Sequence, residues 1–378
     1  MQMKMREWLL GLLATALAVA YLLLMPGYLA SERQELTLQS KQESGETFSG
    51  IITLWHIVGF KPYQGSLGTW LSDRASAFEK KHFGVFINVT AMTPEEFEAR
   101  LNRGERADAY SFPLGWGYAE RFQPLPDVKA ELLPALEGTG VQGGETYAVP
   151  YAMSGYLLLS NSRLEQEKGV SLSEETWRAY LPEAVDTLTY TYGKKARQRY
   201  GMAGSELMAA LLGLQCQVAP YESFKGGDAA LALGDIRDAG DMTRLQTAGK
   251  GFTYRAWPAS SYTDLVQYLA VARDTEPAKL PYIEAYFELI LRADHQATLL
   301  EQGLLPAVRL AEEKEAEVEI VAAVQTALVE PQVPNAFLYQ RYQDELFALA
   351  KRALAGYSAA RVDLEARMKE LVMRGQIQ

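Results

Sequence analysis

The stretch from Ile51 to Phe112 most limits what this chain can become, because it alternates two hydrophobic periods in a fixed order. Ile51-Ile52-Thr53-Leu54-Trp55 is a short apolar run rich in branched side chains and suits a buried strand. A loop containing glycine, Gly59 to Gly68, follows it. Trp70, Leu71, Ala75 and Phe78 then recur at helical spacing, with Asp73, Arg74, Glu79 and Lys80 on the opposite face, and Gly84 ends the element. Val85, Ile87 and Val89 alternate as a second strand. Thr93-Pro94-Glu95-Glu96 supplies an N-cap, a proline at the first helical position and acids in the first turn of a helix through Phe97 and Leu101. Asp108 to Phe112 returns to extended structure. Strand, helix, strand, helix, strand predicts a parallel sheet with crossover helices, so the expected class is α/β.

Further along, Tyr147 to Tyr151 and Gly155 to Ser160 read as strands, and Glu206 to Gln215, Tyr282 to Leu300 and Asp344 to Val372 as helices. Gly138-Thr139-Gly140-Val141-Gln142-Gly143 satisfies the dinucleotide pattern, but no helix opens after it to bind a phosphate, and a glycine-rich hairpin is predicted there instead. Glu95, Glu96 and Glu98 mark a helix start, not a catalytic pair. No serine elbow, phosphate loop or His-Glu metal helix is present.

A formal charge of -10 argues against binding nucleic acid or an anionic membrane surface, either of which needs a basic patch. The single cysteine, Cys216, excludes an internal disulfide, and with only His56, His82 and His295 no thiolate or imidazole metal cluster can be assembled at usual spacing. No metal or cofactor is expected. The apolar run from Trp8 to Met25 spans about 27 Å as a helix, close to the hydrocarbon thickness of a bilayer. Lys4 and Arg6 precede it while Glu32 and Glu35 follow, which puts the N-terminus in the cytoplasm and the remainder outside. Residues 1–30 therefore read as a membrane anchor, with a removed secretory signal as the alternative. Cutting after Ala30 leaves Tyr28 at the -3 position, and Glu32 stands where a lipoprotein signal needs cysteine. Residues 31–48 are polar and read as a flexible stalk reaching roughly 20 to 25 Å.

The pieces of the folded part, taken in order, resemble the extracellular solute-binding proteins of ABC transporters, especially the carbohydrate-binding group that includes maltodextrin-binding protein. Those pieces are Ile52-Thr53-Leu54-Trp55-His56, Phe78-Glu79-Lys80-Lys81 leading to Gly84-Val85, Ala107-Asp108-Ala109-Tyr110, and Tyr147 to Tyr151 with Leu158-Leu159-Ser160-Asn161. Phe224 to Ala230 and Gln296 to Pro306 complete them. The resemblance covers about residues 50 to 378. It implies two α/β lobes joined by three crossings, near Ser111, Ser260 and Leu305, with residues 49–111 and 262–305 in lobe I and 112–261 and 306–378 in lobe II. Ser160, where the family often has tyrosine, and Asp235-Ile236-Arg237, where an aromatic is frequent, depart from the pattern.

In such a fold the loops at strand ends face a cleft between the lobes. Trp55 and His56 end the first strand and Phe60 lies in the next loop, so an aromatic face there suits a pyranose, against an ordinary core reading. Asp108 and Ser111 sit at the implied first crossing; the carboxylate either accepts hydroxyl protons or caps a turn. Trp116 stands between Gly115 and Gly117. Tyr151, Ser154 and Tyr156 follow Pro150, Asp235 and Arg237 follow Gly234, where a solvated salt bridge is the plain alternative, and Trp257 precedes Pro258. The resulting expectation is a monomeric, membrane-tethered extracytoplasmic protein that captures a mono- or oligosaccharide for an ABC permease and catalyses nothing. A binding fold reduced to an interaction or sensor protein, and an anchored enzyme acting on glycans, are the alternatives.

Overall fold

The computed structural model describes residues 48–125, 128–310 and 314–377. The expected opening order is present: strand β1 (Gly50–Ile57), helix α1 (Leu67–Glu79), strand β2 (Val85–Met92), helix α2 (Pro94–Asn102) and strand β3 (Ala109–Pro113). Ser66 caps α1 by accepting from the Thr69 amide, and the buried face of that helix is Leu67, Trp70, Leu71, Ala75 and Phe78. Thr93 caps α2 and Pro94 takes its first position, where a missing N–H costs nothing. β1 runs parallel to β2 and to β3, with Trp55 opposite Tyr110.

β4 (Val141–Gln142) and β5 (Glu145–Thr146) form a hairpin turned by Gly143 and Gly144, both at positive φ, so the glycine-rich segment is a hairpin as its composition predicts. Then come β6 (Val149–Met153), β7 (Tyr156–Asn161), α3 (Ser162–Lys168), α4 (Trp177–Leu188), β8 (Tyr190–Tyr192), β9 (Arg197–Gly204), α5 (Glu206–Leu211), β10 (Val218–Ala219), α6 (Tyr221–Lys225) and β11 (Ala229–Asp235). They are followed by α7 (Ile236–Thr247), β12 (Tyr254–Pro258), β13 (Val266–Val271), α8 (Leu280–Leu291), α9 (Ala293–Ala297) and β14 (Leu305–Pro306). The last elements are α10 (Glu319–Ala327), α11 (Ala336–Leu354) and α12 (Ser358–Ile377).

The strands make two main sheets, ordered β14-β6-β13-β3-β1-β2 and β10-β9-β11-β7-β12, each the floor of one lobe. Neither is purely parallel. β13 runs against β3 and β6 in the first, and β7 runs against β11 and β12 in the second. The chain passes from one sheet to the other at Ser154–Gly155, again between Pro258 and Val266, and a third time beyond β14. The first passage is not near Ser111. Phe122 stacks on Phe112 with ring centroids 5.0 Å apart, the Leu133 amide donates to Ala307, and β6 pairs with β13, so residues 114–153 return to the first lobe.

The helix expected over Asp344 to Val372 is two helices, broken where Gly356 turns at φ +91. α11 packs on α5 of the second lobe, while its cap reaches the first: Asn335 Nδ2 donates to the carbonyls of Gly138 and Val141. One apolar core fills the space between the first sheet and α1 and α8, centred on Trp70 stacked against Tyr151. A larger one runs from the other face of that sheet through the passages into the second lobe. Among the described residues no helix is long and apolar enough to cross a membrane; the expected anchor, and the stalk as far as residue 47, lie outside them.

Candidate ligand-binding cleft

The rims that meet across the passages are the loop after β1 against α7, the loop after β3 against α11, and the start of β7 beside α11. Asp264 lies in the second passage. Tyr156 donates to its Oδ1 and Tyr339 of α11 to its Oδ2, each at 2.7 Å, so both carboxylate oxygens are held by phenols from second-lobe elements. Burial, then the charge of Asp264, raises both phenols well above their usual range, and they stay donors. Ser154, fully buried at the first passage, has a hydroxyl with no hydrogen bond to the protein. Gln340 of α11 reaches Tyr118 of the first lobe at 2.9 Å.

Most of the residues singled out in the sequence are used by the fold itself. Trp55 points into the core, edge-on to Phe97 and Tyr110 at 6.1 Å, with the Arg100 guanidinium 5.5 Å from its ring centroid. Phe60 is buried in the core between the first sheet and α1. His56 and Ser111 meet inside the sheet: the His56 Nδ1 and Ser111 Oγ are 2.9 Å apart, Ser111 Oγ is also 2.9 Å from the Tyr151 hydroxyl, and Gln267 Nε2 donates to Ser111 at 3.1 Å. Burial lowers the His56 pKa to about 4, which leaves the ring neutral at physiological pH. This is a closed polar knot holding β1, β3, β6 and β13 together, and it gives Tyr151 a structural role in place of a cleft one.

Asp108 corrects an expected position. It stands just before β3 and not at a crossing between the lobes, and its carboxylate accepts from the Thr53 amide at 2.8 Å, the Thr53 hydroxyl at 2.9 Å and Lys279 Nζ at 2.9 Å. Asp235 and Arg237 do not pair with each other. Asp235 forms a reciprocal cap with Asp238 at the start of α7, and Arg237 pairs with Asp241 at 3.1 Å. Burial raises Asp235 to about 6; burial and then the neighbouring Asp235 charge raise Asp238 to about 7. Trp257 is buried on β12 opposite Leu158, with Arg255 over its ring. Trp116 is half-buried on the loop after β3 and packs against the larger core.

Of the predicted set, then, Ser154 and Tyr156 stand at the first passage, Asp235 and Arg237 at the start of α7 and Trp116 on the loop after β3, while Trp55, His56, Phe60, Asp108, Ser111, Tyr151 and Trp257 are engaged within the lobes. Sequence reading did not single out Asp264 or Tyr339, which stand 75 positions apart in the chain and carry no local pattern. Four surface cavities, of about 220, 370, 380 and 250 Å³, are lined by none of the predicted residues.

No protein-family model matches the chain, and no curated protein matches it in sequence. Solved structures do match. The chain has the mixed α/β, two-lobed fold of the periplasmic solute-binding proteins of ABC transporters, which bears out at the level of fold the resemblance read in the sequence. A cyclic α-maltosyl-1,6-maltose binding protein from Arthrobacter globiformis is 15% identical with a TM-score of 0.62, over 88% of this chain and 100% of its own. The GacH receptor of Streptomyces glaucescens, solved unliganded and with acarbose, is 15% identical with a TM-score of 0.59 over the same shares. The maltose-maltodextrin binding protein of Alicyclobacillus acidocaldarius is 13% identical with a TM-score of 0.57, over 86% of this chain and 100% of its own.

Proposed function

We propose that this chain captures a carbohydrate between its two lobes, on the outer face of the membrane to which residues 1–30 tether it, and hands it to an ABC permease. The observation that carries the reading is the fold, shared over the full length of proteins whose bound solutes are oligosaccharides. The rims supply suitable chemistry: a buried serine hydroxyl without a protein partner, tyrosines, a carboxylate and a half-buried tryptophan. Ligand contacts from both lobes exist only when the lobes are together, so binding draws the population toward a shut form that a permease recognises.

A thermal-shift screen of the full chain against maltose, maltotriose, a cyclic tetrasaccharide, acarbose and chitin oligosaccharides tests this. A sugar at 100 times its Kd stabilises the native state by about 2.7 kcal/mol. No shift with any of them at millimolar concentration sinks the reading. One observation favours a second reading, a binding fold kept for interaction with another protein: of the aromatics expected against a sugar, Trp55, Phe60 and Trp257 are buried and only Trp116 is half-exposed. The same screen separates the two, because such a protein is silent to every sugar.

A further inference from the structure

The loop after β1 does not stay with its own lobe. Tyr63 sits in it, and the Tyr63 carbonyl accepts from Arg244 Nη1 on α7 of the second lobe at 2.9 Å. One turn earlier on α7 is Gly240, where a Cβ would come within 2.8 Å of the Tyr63 carbonyl oxygen and 3.1 Å of its ring Cδ2. From the first lobe, Gly303 closes on the same residue: a Cβ there would lie 2.3 Å from Tyr63 Cβ. Tyr63 thus fits a notch with one glycine wall on each lobe.

Gly240 is the telling residue. It lies inside a helix, where glycine costs about 1 kcal/mol relative to alanine and no positive φ calls for it. The close approach of Tyr63 is the reason for its missing side chain. The loop is also fastened just after Tyr63, since the Gln64 amide donates to the Gln302 carbonyl at 3.1 Å and Gln64 Nε2 to the Glu301 carbonyl at 2.8 Å. On the other side, Asp241 holds both Arg244 and Arg237, so the Arg244 guanidinium is oriented before it meets Tyr63.

We propose that Tyr63 is a latch between the lobes: seated against Gly240 and Gly303 and bonded to Arg244, it holds the two lobes together with no solute between them. The resting form of this chain is then the shut one, and a solute enters by displacing the Tyr63 loop. The inference rests on the two-lobe geometry and not on the identity of the solute.

The test uses the full chain in lipid nanodiscs, with Cys216→Ser and spin labels at Asp73→Cys on α1 and Gln246→Cys on α7, both exposed and in different lobes. Pulsed electron paramagnetic resonance reads the distance between them without solute. The latch gives one narrow, short distance in this background, and adding Gly240→Ala with Arg244→Ala broadens it and lengthens it by several ångström. Gly240→Ala improves the helix propensity of α7, so loss of fold is not expected, and Arg244→Gln alone serves as a milder second variant. A broad, long distribution before the latch is altered, or an unchanged narrow one after, overturns the proposal. The sugar screen is read independently: a chain that is shut without solute and silent to sugars keeps the latch and loses the carbohydrate reading, while one that binds sugar but rests open does the reverse.

Discussion

Removing the Asp108 carboxylate gives the sharpest separation between a residue that builds a lobe and one that binds a solute. The side chain is 15% exposed and that of Lys279 is 19% exposed, so the pair lies within the fold at the foot of the first sheet. Asp108→Ala deletes hydrogen bonds from the Thr53 amide and hydroxyl, each contributing about 1 kcal/mol, and a charge-assisted one from Lys279 contributing about 1.5 to 3 kcal/mol. It also leaves an ammonium without its counter-ion, and removing one partner of a buried pair typically costs about 3 to 5 kcal/mol. Because the Lys279 head reaches water in part, the lower end applies, and the expected loss is about 3 kcal/mol. Lys279→Ala, which keeps both Thr53 bonds, loses about 1.5 kcal/mol, the lower end for that one charge-assisted bond.

The assay is urea unfolding of both variants and the double variant at pH 7, followed by far-UV circular dichroism, with saccharide affinity measured on the folded forms. The double variant is expected to cost less than the two singles together, since they share one interaction. If Asp108→Ala unfolds within 1 kcal/mol of the parent yet abolishes binding, the carboxylate faces solute and the structural account is refuted.

The capped Asp235–Asp238 pair makes stability fall with rising pH: the unfolded carboxyls ionise near 3.8 while the folded ones hold protons to about 6 and about 7, so the folded state binds more protons across that window. Asp238→Asn, which can still accept from the Asp235 amide, should flatten the decline between about pH 4 and 7 in a series of urea titrations, and an unchanged slope would show that the pair is ionised throughout. Gly204→Ala should cost more than about 2 kcal/mol, because φ is +95 there and a Cβ would lie 2.1 Å from the Leu233 carbonyl oxygen; stability equal to the parent's in the same assay would mean that the end of β9 has room to move.

Much of the first lobe was legible because its signals are local. Thr93 and Pro94 mark a helix start by bonding or omitting groups within one turn, and the alternation in Val85, Ile87 and Val89 follows from a strand's period of two. The hairpin at Gly143-Gly144 was equally plain. The candidate site was not, for a physical reason visible in Trp55 and Asp108. A sequence shows that an aromatic or a carboxylate sits beside a strand end, but not whether that strand continues. β1 runs on to Ile57 and folds Trp55 inward, and β3 begins after Asp108 and places it away from the cleft.

By itself, then, the sequence determined the alternation of strands and helices, the caps, the turns, and the absence of any disulfide. Those depend on residues within a few positions of one another. The tertiary structure alone decided where the chain passes between sheets, that Asp264 gathers Tyr156 and Tyr339, and that Tyr63 meets Gly240 and Arg244. Each of these joins groups dozens to nearly two hundred residues apart, whose approach is fixed by how whole sheets pack and by no feature of the intervening chain.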